Sequence, residues 1–313
     1  MTGRTILMVG GAHVDRRGRI AGETAPGASN PGAWFVEAGG GGFNAARNLA
    51  RLGHAVRLVS PRGGDAEGEL VAAAAEAAGV EDTPFVFLDR ATPSYTAILE
   101  RDGNLVVALA DMGLYDLFSP RRLRQRALRE AVASAGLVLT DANLPAETLS
   151  ALAAAASAAG VPVAGIAISP AKVVRFRAAL PGLSLLFMNE AEARALTGAD
   201  RPDGWPQALQ RAGLAAGVVT RGGGSAVAFD GRQAVRVEPP RLPALGDVTG
   251  AGDALAAGFL DARLSGAALG EALRRGVAAA AITVRSPHAV AAEMAPETLA
   301  AALALVPEAE ILS

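Results

Sequence analysis

The sequence is poor in the residues that several common catalytic and binding sites require. It contains no cysteine, which excludes disulfide bonds, thiol catalysis and cysteine-ligated metal. Its three histidines are too scattered to have the spacing of zinc ligands. Only Lys172 among its 29 basic residues is a lysine, and it stands between Ala171 and Val173. A Walker-type phosphate loop requires Gly-Lys-Ser or Gly-Lys-Thr, so the sequence excludes that loop.

Long apolar runs and an excess of charge of one sign are also lacking. No unbroken apolar stretch approaches the roughly 20 residues of a membrane-spanning helix. Residues 1–9 lack the apolar run of a signal peptide. The net charge of −2 gives no electrostatic basis for binding nucleic acid or an anionic membrane. We therefore expect a soluble, cytoplasmic protein whose main partner is a small molecule.

The chain has enough apolar residues for a large core. It is 313 residues long and 51% hydrophobic. Short apolar runs, such as residues 6–11 and 84–88, alternate with helical stretches such as residues 66–78. This alternation predicts an α/β fold with a mostly parallel sheet that is covered by helices on both faces. From Thr249 onward the chain is predicted to be helical.

Two segments interrupt this alternation early in the chain. Residues 16–37 are rich in glycine and polar residues. The second segment contains the turn Asp102-Gly103-Asn104 between two extended runs, which is a hairpin signal. Together they predict a small β-sheet that projects over one edge of the main sheet as a lid. We expect a single domain, residues 1–313, with lid segments inserted at about 16–37 and 94–110.

The segment Asp247-Val248-Thr249-Gly250-Ala251-Gly252-Asp253 precedes an alanine-rich run that is predicted to be helical. Glycines at a helix start leave backbone N–H groups uncovered, and the helix dipole adds partial positive charge there. Such a site attracts anions, above all phosphate. A carboxylate at Asp253 is suited to accepting a proton from an attacking hydroxyl. The simpler alternative is that Asp253 only complements the helix dipole.

A second glycine cluster, residues 39–42, precedes a helical stretch that carries Asn44 and Asn48. Glycine allows the backbone to approach a ligand closely. Two asparagines four residues apart share one face of a helix, where they can bind hydroxyl groups. A Rossmann-type loop requires glycine at the position of Asn44, so that alternative is disfavoured. A purely structural loop is the other alternative.

The two clusters together resemble the two signatures of the ribokinase-like carbohydrate kinase family (phosphofructokinase-B type). The first has the double glycine followed by Asn-x-Ala and Leu-Ala-Arg-Leu-Gly, and the second is Asp-x-Thr-Gly-Ala-Gly-Asp. The resemblance spans nearly the whole chain. It implies a ribokinase-like three-layer α/β/α domain with a mostly parallel central sheet and a small β-sheet lid. It also implies ATP-dependent phosphorylation of an alcohol, with Asp253 as general base and Gly250, Ala251 and Gly252 as an anion hole.

The resemblance assigns nucleotide and metal sites as well. Asn189 and Glu192 match an Asn-x-x-Glu motif that organises Mg²⁺ and its waters near the phosphates, although an N-capped helix would give the same pattern. Residues 220–225 resemble a Thr-x-Gly-x-x-Gly nucleotide loop in which Ser225 replaces the last glycine and Gly224 is expected to form the turn. The implied ATP-binding residues are Asn189, Thr220, Arg221, Gly222 and Gly224. A monovalent cation, K⁺, is implied near Asp247 and Thr249.

The resemblance places a sugar beneath the lid. Asp15 follows the first strand, where the family has an acid that binds sugar hydroxyls. His13 stands where many members have asparagine, and it is interpreted either as a substrate contact or as a structural histidine. Asn143 matches a sugar-pocket position that holds glutamate in ribokinase-like members. The implied substrate-binding residues are Asp15, His13, Gly39, Gly40, Asn44, Asp111 and Asn143.

Four short segments are similar to those of pseudouridine kinases, the branch that phosphorylates the ribose 5′-hydroxyl of a C-nucleoside. A pocket with Asp15 and Asp111 but no lysine is expected to suit such an uncharged nucleoside. Residues 166–170 lack the Asp-Pro pair expected of that branch. The best interpretation is conversion of pseudouridine to pseudouridine 5′-phosphate by in-line phosphoryl transfer. The four segments are residues 29–32, 94–95, 110–112 and 141–143.

Two classes of alternative stay open. The first is a kinase of the same family that acts on ribose, another sugar or a purine nucleoside. The second is a catalytically silent, sugar-binding regulatory relative, against which Asp253 and its neighbouring glycines argue. The resemblance also implies a homodimer through the lid. Trp34, Phe35 and Val36 form an apolar segment that would either pair with a second subunit or close over the substrate.

Overall fold

The computed structural model describes residues 4–199, 204–242 and 248–312. The strands are β1 (Ile6–Val9), β2 (His13–Ile20), β3 (Gly32–Gly39), β4 (Val56–Val59), β5 (Pro61–Gly63), β6 (Glu81–Asp82), β7 (Phe85–Phe87), β8 (Ser94–Leu99), β9 (Leu105–Asp111), β10 (Leu137–Asp141), β11 (Val163–Ile166), β12 (Leu185–Asn189), β13 (Gly217–Thr220), β14 (Ala226–Phe229), β15 (Ala234–Val237) and β16 (Glu310–Leu312). The helices are α1 (Gly41–Arg51), α2 (Ala66–Ala77), α3 (Arg126–Ser134), α4 (Ala146–Ala158), α5 (Pro170–Val173), α6 (Glu190–Thr197), α7 (Trp205–Arg211), α8 (Ala251–Leu264), α9 (Leu269–Thr283) and α10 (Pro296–Leu303).

The central sheet has the strand order β16-β15-β14-β13-β12-β11-β10-β1-β4-β6 over the described residues. From β6 to β13 every neighbouring pair is parallel, whereas β14, β15 and β16 continue the sheet in antiparallel pairs. Crossover helices between parallel strands cover both faces of the sheet. The predicted architecture, a mostly parallel sheet between two helical layers, is therefore confirmed.

Side-chain alternation along the strands divides the core into two parts. In β1, Ile6 and Met8 point into an apolar cluster shared with α1, α8 and α9. Leu7 and Val9 point into a second cluster on the opposite face, shared with α3, α4 and α7. Successive side chains of a strand point to opposite faces of the sheet, so a strand that is buried on both faces contributes to both clusters. No helix within the described ranges is long and apolar enough to cross a membrane.

Two strands differ from the sequence prediction. Residues 84–88 were expected in the main sheet, but β7 pairs with β5 in a separate two-stranded sheet, because β6 already covers the edge beside β4. The prediction that the chain is helical from Thr249 onward was wrong at its end, where β16 pairs with β15. This strand has three residues and none of them is buried, so it lacks the apolar alternation that indicates a strand.

A second sheet, the lid sheet, has the order β3-β2-β8-β9. Its strands come from the two segments that interrupt the α/β alternation in the sequence. β2 pairs with β3 in antiparallel and with β8 in parallel orientation. His13 lies opposite Gly39 in this pairing, so the base of the lid sheet lies next to Gly40, the residue that precedes α1.

Candidate active site

The polar residues of interest collect at one edge of the central sheet, where the parallel strands end. Asp141 ends β10, Asn189 ends β12 and Thr220 ends β13. In parallel α/β sheets, ligands bind in the crevice outside these carboxyl ends. Two glycine-led helices, α1 and α8, also begin at this edge, and the hydrogen bond from Asn44 to Asp253 joins their first turns.

The start of α8 has the backbone geometry of an anion site. Gly250 has a φ of 79°, in the left-handed region, and a Cβ at this position would overlap the carbonyl oxygen of Ala289. Glycine is therefore required there. The N–H of Ala251 donates to the carbonyl of Val248 at 3.2 Å, which differs from its predicted place in an anion hole. The first-turn N–H groups of Gly252 and Asp253 have no partner inside the helix, so they are free of intrahelical hydrogen bonds at the edge where an anion is expected.

Asp253, the third residue of α8, is half-buried, and its carboxylate faces the first turn of α1. Burial raises its pKa to about 7, and the nearby charges of Asp141 and Glu192 act in the same direction. The hydrogen bond from Asn44 Nδ2 to Asp253 Oδ2, 2.8 Å long, opposes this rise. A carboxylate with a pKa near 7 is suited to general-base catalysis at neutral pH.

Arg47 fixes the orientation of the Asn44 amide. Its Nη2 donates to Asn44 Oδ1 at 2.6 Å and to the carbonyl of Ala38 at 2.8 Å. Since Asn44 Oδ1 accepts from Arg47, the amide nitrogen must face Asp253. Burial lowers the pKa of Arg47 to about 10, so the guanidinium stays charged at neutral pH. Asp253 is therefore held by a donor whose own position is determined by a buried cation.

Asp141 connects three parts of the site. Its buried carboxylate accepts from the N–H groups of Gly11 at 3.1 Å, Gly42 at 3.3 Å and Asn143 at 2.9 Å. Burial raises the pKa of Asp141, and these hydrogen bonds oppose that change. A Cβ on Gly42 would lie 2.6 Å from Asp141 Oδ2, so this approach requires glycine. Asp141 thus holds the loop after β1 and the start of α1 in place.

The structure brings together four of the residues predicted to bind the sugar, at the base of the lid sheet. His13 Nε2 lies 3.3 Å from Asp15 Oδ1. Gly39 leaves the space that the Asp15 carboxylate occupies, because a Cβ there would overlap it. Gly40 has a φ of 111°, and its Cβ would lie 2.7 Å from the carbonyl oxygen of Gly11. Gly39 therefore makes room for the Asp15 carboxylate within the lid sheet, and Gly40 permits a close approach between the end of that sheet and the loop after β1.

Asn143 and Asp111 lie in different surroundings. Asn143 is buried, and its Oδ1 accepts from Lys172 Nζ at 2.6 Å. Burial lowers the pKa of Lys172, while the charge of Asp141 raises it. The only lysine of the chain therefore contacts a predicted substrate residue, whereas the sequence analysis expected a pocket without lysine. Asp111 ends β9 opposite Ser94 and is exposed, so it does not join the buried group around Asp141.

Asn189 and Glu192 form a capping box at the start of α6. Asn189 Oδ1 accepts from the Glu192 N–H at 3.0 Å, and Glu192 Oε2 accepts from the Asn189 N–H at 2.6 Å. The capping alternative is thus realised, which leaves Glu192 Oε1 for other contacts. Burial raises the pKa of Glu192, so a cation beside it would be favourable.

The donor set suits a metal ion that arrives with a nucleotide. No group of three His, Cys, Asp or Glu side chains that could hold a metal occurs among the described residues. Mg²⁺ commonly binds through one or two carboxylates, several waters and substrate phosphates. Glu192 is a buried carboxylate whose charge reaches Asp253, at the edge where the first turn of α8 begins. These residues therefore fit Mg²⁺ with few protein ligands.

The predicted nucleotide loop follows β13, next to the start of α6. Thr220 pairs with Asn189 across the two strands. The loop turns at Gly222, which has a φ of 57°, so the expectation that Gly224 forms the turn was wrong. Gly224 instead donates its N–H to the carbonyl of Arg221 at 2.9 Å and closes the turn. Of the two residues predicted to hold K⁺, Asp247 lies outside the described residues and Thr249 is exposed beside Gly250.

A sequence model of the pfkB family carbohydrate kinases matches residues 5–295. The chain belongs to this family. The kinase therefore transfers a phosphoryl group to a hydroxyl of a small sugar or nucleoside, and the resemblance indicated by the two glycine clusters is confirmed. Its ribokinase-like fold is confirmed as well, since ribokinases are among the solved structures that share it.

Three relatives illustrate the similarity. A carbohydrate kinase of solved structure from Agrobacterium tumefaciens is 60% identical, with a TM-score of 0.91 over 99% of this chain and 100% of that chain. The pseudouridine kinase of Escherichia coli (strain K12) is 29% identical over 278 residues, 86% of this chain and 87% of the relative. The uncharacterized sugar kinase YeiI of the same strain is 38% identical over 144 residues, which are 46% of this chain and only 39% of that protein.

Four residues of this kinase contact the predicted site although the sequence analysis assigned none of them a role in it. Arg47 lies three positions after Asn44, a spacing that brings side chains together on a helix. Asp141 and Lys172 meet the site across the sheet, through contacts that no local pattern indicates. Tyr115 is buried against His13, 102 positions away in the chain. Only the Arg47 contact therefore had a signal in the sequence.

Proposed function

We propose that this kinase transfers the γ-phosphoryl group of ATP to the primary hydroxyl of a nucleoside or sugar, with Asp253 as general base. The observation that carries the proposal is the start of α8. A carboxylate with a pKa of about 7 stands there beside uncovered N–H groups, and Asn44 holds it in one orientation. The same position supplies a base for the acceptor and an anion site for the group being transferred.

The proposed step is an in-line displacement. Asp253 accepts the proton of the acceptor hydroxyl while its oxygen forms a bond to the γ-phosphorus. The bond from that phosphorus to the bridging oxygen breaks, and ADP leaves with the electron pair. Negative charge on the transferring group is met by the N–H groups of Gly252 and Asp253 and by the dipole of α8. Gly250 gives the backbone the turn that this arrangement needs.

The nucleotide is proposed to lie along the ends of β12 and β13, against Asn189, Thr220, Arg221, Gly222 and Gly224. When bound, Mg²⁺ would offset the charge of the phosphate oxygens. Glu192 would hold it, with Asn189 acting through water. Thr249 and Asp247 are proposed to hold K⁺, as the family resemblance implies.

Pseudouridine is the proposed acceptor. The similarity to pseudouridine kinase extends over most of both chains. Asp15, Gly39, Gly40 and Asn44 are proposed to bind the ribose. Beyond them, the Lys172 ammonium keeps two protons after its bond to Asn143, and these suit the carbonyl oxygens of a uracil-type base.

Exposed Asp111 is proposed to contact the substrate from the lid sheet. A free sugar such as ribose would offer no carbonyl oxygen to Lys172 in its ring form. A kinase for another sugar or for a purine nucleoside is the alternative within the family.

A substrate panel tests the proposal. ATP turnover is measured with pseudouridine, uridine, adenosine, ribose and fructose, with the wild type and Lys172→Met side by side. We expect the highest kcat/KM with pseudouridine, and a selective loss of that activity in Lys172→Met, whose side chain keeps the length but not the charge. Equal loss with every acceptor would remove the argument for the base contact. No turnover with any acceptor would favour an untested sugar or the silent regulatory alternative.

We also propose that two copies associate through the lid sheet. Its outer surface exposes large apolar side chains, an arrangement typical of interaction surfaces. These residues are Trp34, Val36, Leu105, Val107 and Leu109. Sedimentation velocity of Leu109→Glu would detect the loss of a dimer, and Leu305→Glu, which changes an exposed leucine near the C-terminus, is the matched control. A wild-type monomer would contradict the proposal.

A further inference from the structure

Three side chains form a chain of contacts at the base of the lid sheet: Tyr115 is hydrogen-bonded to His13, and the His13 ring lies beside the Asp15 carboxylate. Tyr115 lies in a 3₁₀ turn, Gly113–Leu117, that follows β9, while the other two residues lie in β2. Tyr115 Oη is 3.0 Å from His13 Nδ1, and His13 Nε2 is 3.3 Å from Asp15 Oδ1. Tyr115 is 1% exposed and His13 8% exposed, so both polar groups are removed from water.

The chemistry of the two ends determines the tautomer of His13 and the direction of its hydrogen bond with Tyr115. The Asp15 carboxylate oxygen, 3.3 Å from Nε2, favours a hydrogen on that nitrogen, because it would repel a lone pair there. In a neutral imidazole Nδ1 then has a lone pair, and the Tyr115 hydroxyl must donate to it. A protonated imidazole would donate at both nitrogens and leave the Tyr115 hydrogen without its acceptor. Within the described residues His13 is the only hydrogen-bond partner found for this hydroxyl, and a buried unpaired donor is costly.

The Tyr115 hydroxyl is also kept in its protonated form. Burial raises its pKa well above the ordinary value, and the negative charges of Asp141 and Asp15 act in the same direction. The backbone leaves the chain little room to rearrange. A Cβ on Gly40 would lie 3.3 Å from His13 Nδ1, and a Cβ on Gly39 would overlap the Asp15 carboxylate.

We propose that Tyr115 is a positioning residue for substrate binding. Through His13 it holds the Asp15 carboxylate in one orientation, with Oδ1 turned towards the imidazole Nε2. The remaining acceptor positions of Asp15 are then directed to hydroxyl donors of the substrate. This inference rests on the proposed role of Asp15 in binding the acceptor and concerns only that step. Phosphoryl transfer at Asp253 does not depend on it.

Tyr115→Phe keeps the ring and removes the hydroxyl, so it tests the chain directly. Loss of one such hydrogen bond is expected to raise KM for the acceptor about five- to tenfold. We expect kcat and KM for ATP to stay within about twofold. A matched change is His54→Asn, which removes another close histidine–carboxylate pair, His54 with Asp261, 2.9 Å apart. This control is expected to leave KM for the acceptor unchanged.

The tautomer of His13 gives a measurement that does not depend on turnover. Imidazole ¹⁵N shifts of the ligand-free wild type should show a neutral ring protonated at Nε2, whereas Tyr115→Phe should show a mixture. His54 and His288 serve as internal references in the same spectrum. An Nδ1-protonated or doubly protonated ring in the wild type at neutral pH would overturn the proposal.

Two kinetic outcomes would also overturn it: an unchanged KM for the acceptor in folded Tyr115→Phe, or a fall in kcat as large as the rise in KM. Failure of the proposed function would look different. In that case the wild type would turn over no acceptor, while the ¹⁵N shifts and calorimetric binding of the acceptor to wild type and Tyr115→Phe would still test the role of Tyr115.

Discussion

The two glycine-led helices α1 and α8 begin at the same edge of the sheet, but their first turns are used differently. At α1 the N–H of Gly42 already donates to a carboxylate of the protein itself, Asp141, at 3.3 Å. At α8 a Cβ on Gly252 would meet no atom of the described residues within 4 Å. A helix start attracts an anion in both cases. The protein supplies that anion at α1, whereas at α8 the transferring phosphoryl group is the proposed anion.

This comparison separates structural glycines from functional ones. Gly42 is required because Met8 and Asp141 approach it, so its role is to allow packing. Gly252 has no steric reason to be glycine, so its role must be sought in the ligand that approaches it. The sequence pattern of the two clusters is similar, and only the position of Asp141 tells them apart.

The largest expected effect comes from Asp253→Asn. The amide cannot accept the proton of the acceptor, so kcat should fall by about 10²- to 10⁴-fold. Acceptor and ATP should still bind, because the new amide keeps an oxygen that can accept from Asn44 and the nucleotide loop is unchanged. Steady-state kinetics measure the change in kcat, and calorimetry measures the binding of acceptor and ATP. Asp89→Asn, an exposed carboxylate beside Arg90, is the control, and near-normal kcat in Asp253→Asn would show that the base is another group.

The pH dependence is the second test of Asp253. The base acts in its ionised form, so kcat/KM should rise about tenfold per pH unit in acid and level off near the pKa of about 7. The free energy of unfolding should change in the opposite sense. Folding raises the pKa of Asp253 above 3.8, so the unfolded chain loses this proton at a lower pH than the folded protein does. The stability that the protonated carboxyl group gives the fold is therefore lost as the pH rises towards about 7.

Asp253→Asn should accordingly stabilise the fold more at about pH 8 than at about pH 4. Chemical denaturation at both pH values measures this difference. An equal effect at the two pH values would mean that the pKa of Asp253 is not raised by folding.

Alanine substitutions at Gly42 and Gly252 test the different roles assigned to the starts of α1 and α8. In Gly42→Ala the new methyl group would overlap Met8 and Asp141, so the free energy of unfolding should fall by about 1–3 kcal/mol. In Gly252→Ala the methyl group meets no atom of the described residues, and removing a helix glycine should raise the free energy of unfolding by about 0.5–1 kcal/mol. That methyl group would stand where the phosphoryl group is proposed to lie, so kcat/KM should fall roughly tenfold.

Urea denaturation and steady-state kinetics of both glycine variants give the two readouts. A stable and fully active Gly252→Ala would contradict an anion site at α8. A stable Gly42→Ala would contradict the structural role assigned to α1.

Much of the fold was predictable because its cause is local. The start of α6, Glu190–Thr197, was predictable, since Asn189 and Glu192 form the helix cap that their spacing allows and Gly198 ends the helix. The lid sheet was predictable because Asp102-Gly103-Asn104 indicates a hairpin. The strand β16 was not predictable, because its three residues are not buried and form a strand only by pairing with β15.

The site was predictable only in part, for the same reason. Asp253, Asn44 and the glycines lie in short patterns that indicate a helix start beside a polar ligand. Asp141 meets Gly42 from 99 positions away, and no local pattern contains that contact. The neighbouring parallel strands bring such residues together at their carboxyl ends, so their pairing follows from topology rather than from spacing.

The smallest expected effect is that of changing Arg221. This change tests whether the anion site depends on side-chain charge. Arg221 is exposed in the nucleotide loop and lies 3.9 Å from Glu190, so much of its charge is screened by water and by that carboxylate. Arg221→Gln should raise KM for ATP by only about two- to threefold, and less at high salt. Arg232→Gln, in the hairpin between β14 and β15, is the control. An unchanged kcat would agree with charge neutralisation by the N–H groups of α8. A fall in kcat of tenfold or more would mean that the Arg221 side chain reaches the phosphoryl group, so that the backbone alone does not form the anion site.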